Sequence, residues 1–293
     1  MIRTILKGGM KLVSRNKKYL LLLWGTNGVL ALVLTIPIFS MLFDNLQHSS
    51  ISDDLALNFN YVWYLQFRYL YENLFDKLPL LFYSIVGMNA LIQTFYSGGL
   101  ITVFNNPKKN HVSDFFYGGV KYWYRFMKVT LVTLVLFTII FLINDLIGNW
   151  LTYLSQITNS VLLDLSTRSA RYLILLILIG IITLITDYVC VNIALEDQKK
   201  VRNGFKDIFK FIRHRNTLIF MVFLSVSIIG ALGAIVYNVI VIYVPRSPFY
   251  FLILTFILQQ LLIIFRLSIT MLFYSTEVFL YKDQNAEVVS EFN

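Results

Sequence analysis

A chain of 293 residues that is 57% hydrophobic and only 14% charged, with mean hydropathy +0.69, has too little polar surface to cover a water-soluble globule. Its formal net charge of +9 would suggest nucleic acid in a soluble protein. Here the cations segregate by loop, so topology accounts for them without a nucleic-acid partner. The single cysteine, Cys190, leaves neither a disulfide framework nor a cysteine metal cluster.

Spanning a bilayer takes about 20 apolar residues, and long apolar runs predict helices at 19–43, 78–104, 128–148, 171–195, 217–244 and 248–280. The runs are continuous rather than alternating, which favours helices over the strands of a barrel. The first is too long for a signal peptide and lacks a small-residue cleavage site, so it reads as a retained span. The expected fold is therefore all-α: one polytopic domain over 1–293 with six transmembrane helices.

Before the first, third and fifth spans stands the same pattern, a glycine followed by cations two, six and nine residues on: Gly9 with Lys11, Arg15 and Lys18; Gly119 with Lys121, Arg125 and Lys128; Gly204 with Lys206, Lys210 and Arg213. The spacing predicts three repeats, at about 1–110, 111–200 and 201–282, each an amphipathic interfacial helix followed by a two-span hairpin. In 201–215 the apolar Val201, Phe205, Ile208, Phe209 and Ile212 recur at helical spacing, with the cations in another sector. The second copy is rich in aromatic residues suited to headgroup depth, and Gly8 and Gly9 weaken the first. Ordinary juxtamembrane charge is the competing explanation of the pattern.

These segments, with Arg3, Lys7, Lys17, Lys108, Lys109, Lys199, Lys200, Arg202, Arg215 and Lys282, hold most of the basic residues, whereas the opposite loops hold Arg68, Lys77, Arg168, Arg171 and Arg246 beside several acids. The positive-inside rule then puts both termini in the cytoplasm. The nine cations of the repeated pattern become candidate contacts for anionic lipid headgroups.

The first outer loop, 44–77, is expanded and holds Phe59, Tyr61, Trp63, Tyr64, Phe67, Tyr69, Tyr71 and Phe75. It reads either as a helix on the outer leaflet or as a docking site for a partner or an apolar ligand. The second outer loop, around Trp150, extends span three or forms a further interfacial helix; the third, around Pro245 and Pro248, is a tight hairpin. A short cytoplasmic tail is expected at 283–293.

Charged groups at bilayer depth are costly and make the best functional candidates. Asp187 lies about 16 residues into span four and Arg266 about 18 into span six, so their depths agree to roughly one turn. They are expected to pair, either as an ion pair that fixes helix registry or as a polar site for substrate or proton; independent snorkelling is the remaining reading. Asn192, Gln259 and Gln260 are candidates to line a cavity beside them, and Glu277 falls near the cytoplasmic headgroups. Gly98 with Gly99, and Gly230 with Gly233, read as sites of close helix packing.

No phosphate-binding glycine loop, metal motif or nucleophile elbow is present in the sequence. No catalytic residue, cofactor or metal is expected, and the chain reads as a non-enzyme. Mitochondrial carriers share the length and threefold plan, but their P-x-[DE]-x-x-[KR] signature is missing, Pro37 being followed by Ile38, Phe39 and Ser40. The strings F-Y-S-G-G-L at 95–100, the stretch 187–196 leading into G-F-K-D-I-F-K-F, and R-L-S-I-T-M-L-F-Y-S-T-E-V-F-L-Y at 266–281 resemble a loose group of bacterial six-span proteins. That group includes uncharacterised inner-membrane families and the membrane domain fused to some glycerophosphodiester phosphodiesterases. The resemblance implies the bacterial cytoplasmic membrane and assigns no catalytic residue. Two functions fit: a non-catalytic protein that organises lipids or partner proteins, and a transporter or permease-like protein for a small or amphipathic solute.

Overall fold

A computed structural model describes residues 2–47, 49, 52–106, 112–158, 161–197, 200–245 and 250–291. Every regular element among them is a helix: α1 (Ile2–Arg15), α2 (Lys17–Leu46), the short α3 (Ser52–Leu57), α4 (Tyr61–Leu70) and α5 (Glu72–Phe75), then α6 (Leu78–Asn105), α7 (Val112–Thr158), α8 (Val161–Leu195), α9 (Val201–Tyr243) and α10 (Tyr250–Glu291). Six stretches are long and apolar enough to cross a membrane: Lys17–Leu46, Glu72–Asn105, Val112–Tyr153, Leu165–Leu195, Thr217–Tyr243 and Tyr250–Asp283. Their outward surfaces are apolar, with Leu80 and Leu176 each 71% exposed. Water would not tolerate so much contiguous apolar surface, and hydrocarbon does. The chain is a multi-pass integral membrane protein.

The interfacial helices expected in the second and third copies are not separate elements. No proline or turn interrupts residues 115–148 or 201–243, and the basic segments run directly into the spans as the first turns of α7 and α9. At 47 residues, α7 measures roughly 70 Å along its axis at 1.5 Å per residue, well beyond the ~30 Å hydrocarbon core. Its basic first turns therefore lie outside the hydrocarbon. Only the first copy is broken from its span, at Asn16, where φ is −112° and ψ 25°. The Asn16 amide donates to the Leu12 carbonyl at 2.8 Å, a local bond that competes with helix continuation. Past the last span, α10 continues to Glu291, so most of the expected tail is helical. The third outer hairpin falls largely on 246–249, outside the described residues.

The chain divides into two compact units. The first comprises residues 1–9, 94–223 and 274–293, and the second residues 10–93 and 224–273. Within the first unit α6 crosses α7 at four glycines. A methyl group at Gly98 would lie 3.0 Å from the Gly118 carbonyl oxygen, one at Gly99 2.7 Å from the Phe115 ring, and one at Gly119 2.7 Å from the Phe95 ring; at Gly118 it would strike Thr102. Backbones can approach this closely only where side chains are missing. Along their spans α7 and α8 form a hairpin held by Arg171, whose Nε donates to Asn144 at 3.1 Å and whose Nη2 reaches Asp145 at 3.4 Å.

Within the second unit α9 meets α10 at Gly230, where a methyl group would lie 3.3 Å from Ile269, and at Gly233, where it would collide with the Phe265 ring. Trp24 on α2 donates to Gln260 on α10 at 3.0 Å. The aromatic outer segment folds on itself: Asn60 caps α4 by accepting from the Trp63 amide at 3.1 Å, and buried Phe67 stacks on Trp63 at 4.9 Å and meets Phe75 edge-on at 5.8 Å.

Replacing Gly99 by leucine should destabilise the protein by about 1–3 kcal/mol through overpacking against Phe115. Gly28→Ala, where nothing lies within 4 Å, should be neutral or slightly stabilising. Thermal unfolding of the two variants in one detergent tests the contrast.

Candidate functional site

Each glycine that opens the repeated pattern is buried, and each faces the end of an even-numbered span. Gly119 faces Phe95 on α6, and Gly204 lies so close to α8 that a methyl group on it would stand 3.2 Å from the Ile193 side chain. Gly9 accepts a hydrogen bond from the Ser275 hydroxyl of α10 at 3.3 Å, while a methyl group on its neighbour Gly8 would stand 3.3 Å from the Phe279 ring. Glycine inward means cation outward, because two, six and nine residues along a helix rotate away from the buried face. Lys11, Arg15, Lys18, Lys128, Lys206, Lys210 and Arg213 are exposed. Lys18 lies 5.0 Å from the Tyr19 ring and Lys128 4.2 Å from that of Tyr124.

Lys121 and Arg125 differ from the other seven. They are half-buried and both grip Asp197, at 3.0 and 2.9 Å. Beside them the Tyr122 hydroxyl donates to the Ala194 carbonyl at 3.0 Å, satisfying one of the acceptors left open at the C-terminus of α8. Asp197 has a positive φ of 48°, the left-handed conformation that ends many helices and that Asp tolerates better than most residues. The second copy thus spends two of its three cations on an internal clamp. No sign of this shows in the spacing of the cations, because Asp197 lies in the turn after α8, 72 residues beyond Arg125.

Of the residues expected at bilayer depth, Asp187 and Asn192 belong to the first unit and Arg266, Gln259 and Gln260 to the second, so the expected Asp187 to Arg266 pair is not a contact within either unit. Arg266 and Gln259 are exposed, and Gln260 accepts from Trp24. Asn192 is fully buried and donates to the Tyr281 hydroxyl at 2.7 Å. Tyr281 in turn donates to Glu196, and Lys282 donates to the Asn105 carbonyl. The last turns of α10 thereby join the ends of α6 and α8.

Asp187 shares its unit with Glu277 of α10. Glu277 is 3% exposed, buried within the protein. Separately, an apolar cavity of about 360 Å³ lies between α8 and α9, lined by Ile181, Leu184, Ile185, Ile212, Ile219 and Met221 among others.

Comparison with protein-family models, with curated proteins and with solved structures finds no match to this chain.

Lys121, and after it Arg125, hold the Asp197 carboxyl below its ordinary value of 3.8. A depressed carboxylate stabilises the fold above its unfolded-state value and loses that contribution as pH falls through the folded one. Asp197 is 53% exposed, so solvent screening limits the clamp to about 0.2–1 kcal/mol. Asp197→Asn, which keeps the backbone tolerance, should lower thermal stability slightly at neutral pH and remove a small decline in stability below pH 3.8; melting curves across acid pH measure both.

Proposed function

We propose that this protein organises lipids at the cytoplasmic face of the bacterial inner membrane, gathering anionic headgroups, and partner proteins with them, without catalysing a reaction. The observation that carries this reading is the common orientation of the three basic segments: glycine buried, cations at the surface. A cation that snorkels from an anchored segment meets phosphate at the headgroup level. The excess of cations on one set of loops supports cytoplasmic termini, and the resemblance to bacterial six-span families supports the inner membrane.

The same contacts favour a threefold internal repeat. The basic segment of the second copy packs on the last turns of the second span, that of the third copy on the fourth span, and that of the first copy on the sixth. The basic segment of each later copy leans on the span before it, and that of the first on the last span, as three similar repeats would.

Lipid contact divides the nine cations unevenly. Lys206, Lys210 and Arg213, with Lys11, Arg15 and Lys18, contribute most, while Lys121 and Arg125 contribute less because Asp197 neutralises them. Polymer-excised discs from membranes of mixed anionic and zwitterionic lipid report the shell around the protein directly. Neutralising Lys206, Lys210 and Arg213 to glutamine should cut anionic enrichment several-fold, whereas Lys121→Gln with Arg125→Gln should change it little. An unaltered shell in the first variant would defeat the proposal.

A second reading, transport of a small or amphipathic solute, draws on the buried polar groups of α8 and α10. Solute uptake by proteoliposomes that is unaffected by Asp187→Asn would count against it.

A further inference from the structure

The open cavity of about 360 Å³ between α8 and α9 lies wholly within the first unit, and contacts on either side of it fix the separation of the two helices. Toward the basic segment a methyl group on Gly204 would stand 3.2 Å from Ile193, and the Tyr188 ring meets that of Phe211 at 6.1 Å. Farther into the span a methyl group on Gly180 would lie 3.7 Å from the Phe223 ring. The cavity is the gap between these fixed points.

Its lining is hydrocarbon. Leu184 and Ile219 are buried and form the floor, while Ile181 and Phe220 stand exposed at the rim. Thr217 is the one polar residue among the described residues that line it. Such walls offer dispersion contact and almost no hydrogen bonding, which suits an aliphatic chain and not a polar solute. Thr217 is also the first residue of the apolar stretch Thr217–Tyr243, so the cavity begins where the hydrocarbon begins and runs inward along the span. Acyl chains of the bilayer occupy that depth, and a gap left unfilled there forfeits van der Waals contact.

Charge aligned with the cavity identifies the occupant more closely. Residues three and four apart share a helix face, and the series Lys206, Lys210, Arg213, Thr217, Phe220 advances by four, three, four and three. The three cations, all exposed, therefore stand in line with two residues of the cavity wall. Arg213 precedes Thr217 by about 6 Å along the helix axis and Lys210 by about 10 Å. Asp207, the one acid of 201–213, falls outside the series. A phospholipid whose chain enters the cavity has its phosphate at this mouth, within reach of cations that snorkel toward the headgroups.

We propose that the cavity between α8 and α9 binds one acyl chain of an anionic phospholipid, whose phosphate is held by Arg213 and Lys210. The site rests on the lipid reading for the placement of its basic mouth at the headgroups, and adds to it a requirement of shape. Lipids elsewhere around the protein answer to charge alone; this one is held by chain and headgroup together.

Photolabelling of the wild-type full chain in nanodiscs of phosphatidylcholine tests this, using a small fraction of phosphatidylglycerol that carries a diazirine midway along one acyl chain. Peptide mapping by mass spectrometry should concentrate adducts at 181–185 and 217–221, several-fold above those left by phosphatidylcholine with the same diazirine chain. Ile181→Trp, which fills the cavity from its exposed rim, should lower this labelling several-fold while the anionic enrichment of the lipid shell persists. Adducts spread evenly over the exposed faces of the spans overturn the proposal, and so does equal labelling of the cavity by the two lipids. If either occurs while the shell remains enriched in anionic lipid, the site fails and the organising role stands. Selective labelling of the cavity in a shell without anionic enrichment supports the site and counts against the broader role. The wild-type map is decisive by itself should the variant fold poorly.

Discussion

Close approach of backbones at glycine positions is the constraint on which the rest of the first unit depends. Where Gly98 and Gly99 of α6 meet Gly118 and Gly119 of α7, almost any side chain would force the helices apart. The second basic segment is thereby seated on the end of the second span. The same approach carries Phe115, Tyr122 and Phe126 into the interior, where they are 5% exposed or less. Aromatic residues in these first turns therefore do two kinds of work: Tyr122 packs and caps α8 from inside, whereas Trp123 and Tyr124 remain exposed.

Much of the membrane architecture was legible in the sequence because hydrocarbon imposes a simple rule. Each span must be apolar for about 20 residues and must satisfy its own backbone, so length and continuity of apolar runs suffice to find all six stretches. Boundaries were less legible. An amphipathic segment and the span after it differ in where they lie, not in backbone geometry, so 115–128 and 201–215 carry no signal that would separate them from α7 and α9. Asn16 does carry one, a side chain able to replace a helical hydrogen bond, and there the helix breaks.

Functional groups divide along the same line. Charge segregation can be counted along the chain, and the glycine pattern can be matched by offset. Which helical faces meet cannot. Arg171 reads as a loop cation and instead ties Asn144 and Asp145 of α7 to the start of α8. Depth alone matches Asp187 to Arg266, and the two belong to different units.

The central claim is that the start of the first basic segment is seated on the last span. Disulfide formation between cysteines placed at Gly8 and Phe279, in a chain whose Cys190 is replaced by serine, measures it most directly in native membranes. The account predicts intramolecular cross-linking on mild oxidation, since the edge of the Phe279 ring stands 3.3 Å from where a Cβ at Gly8 would lie, so residues 8 and 279 face each other. A well-folded, membrane-inserted double-cysteine protein that stays uncross-linked would contradict it.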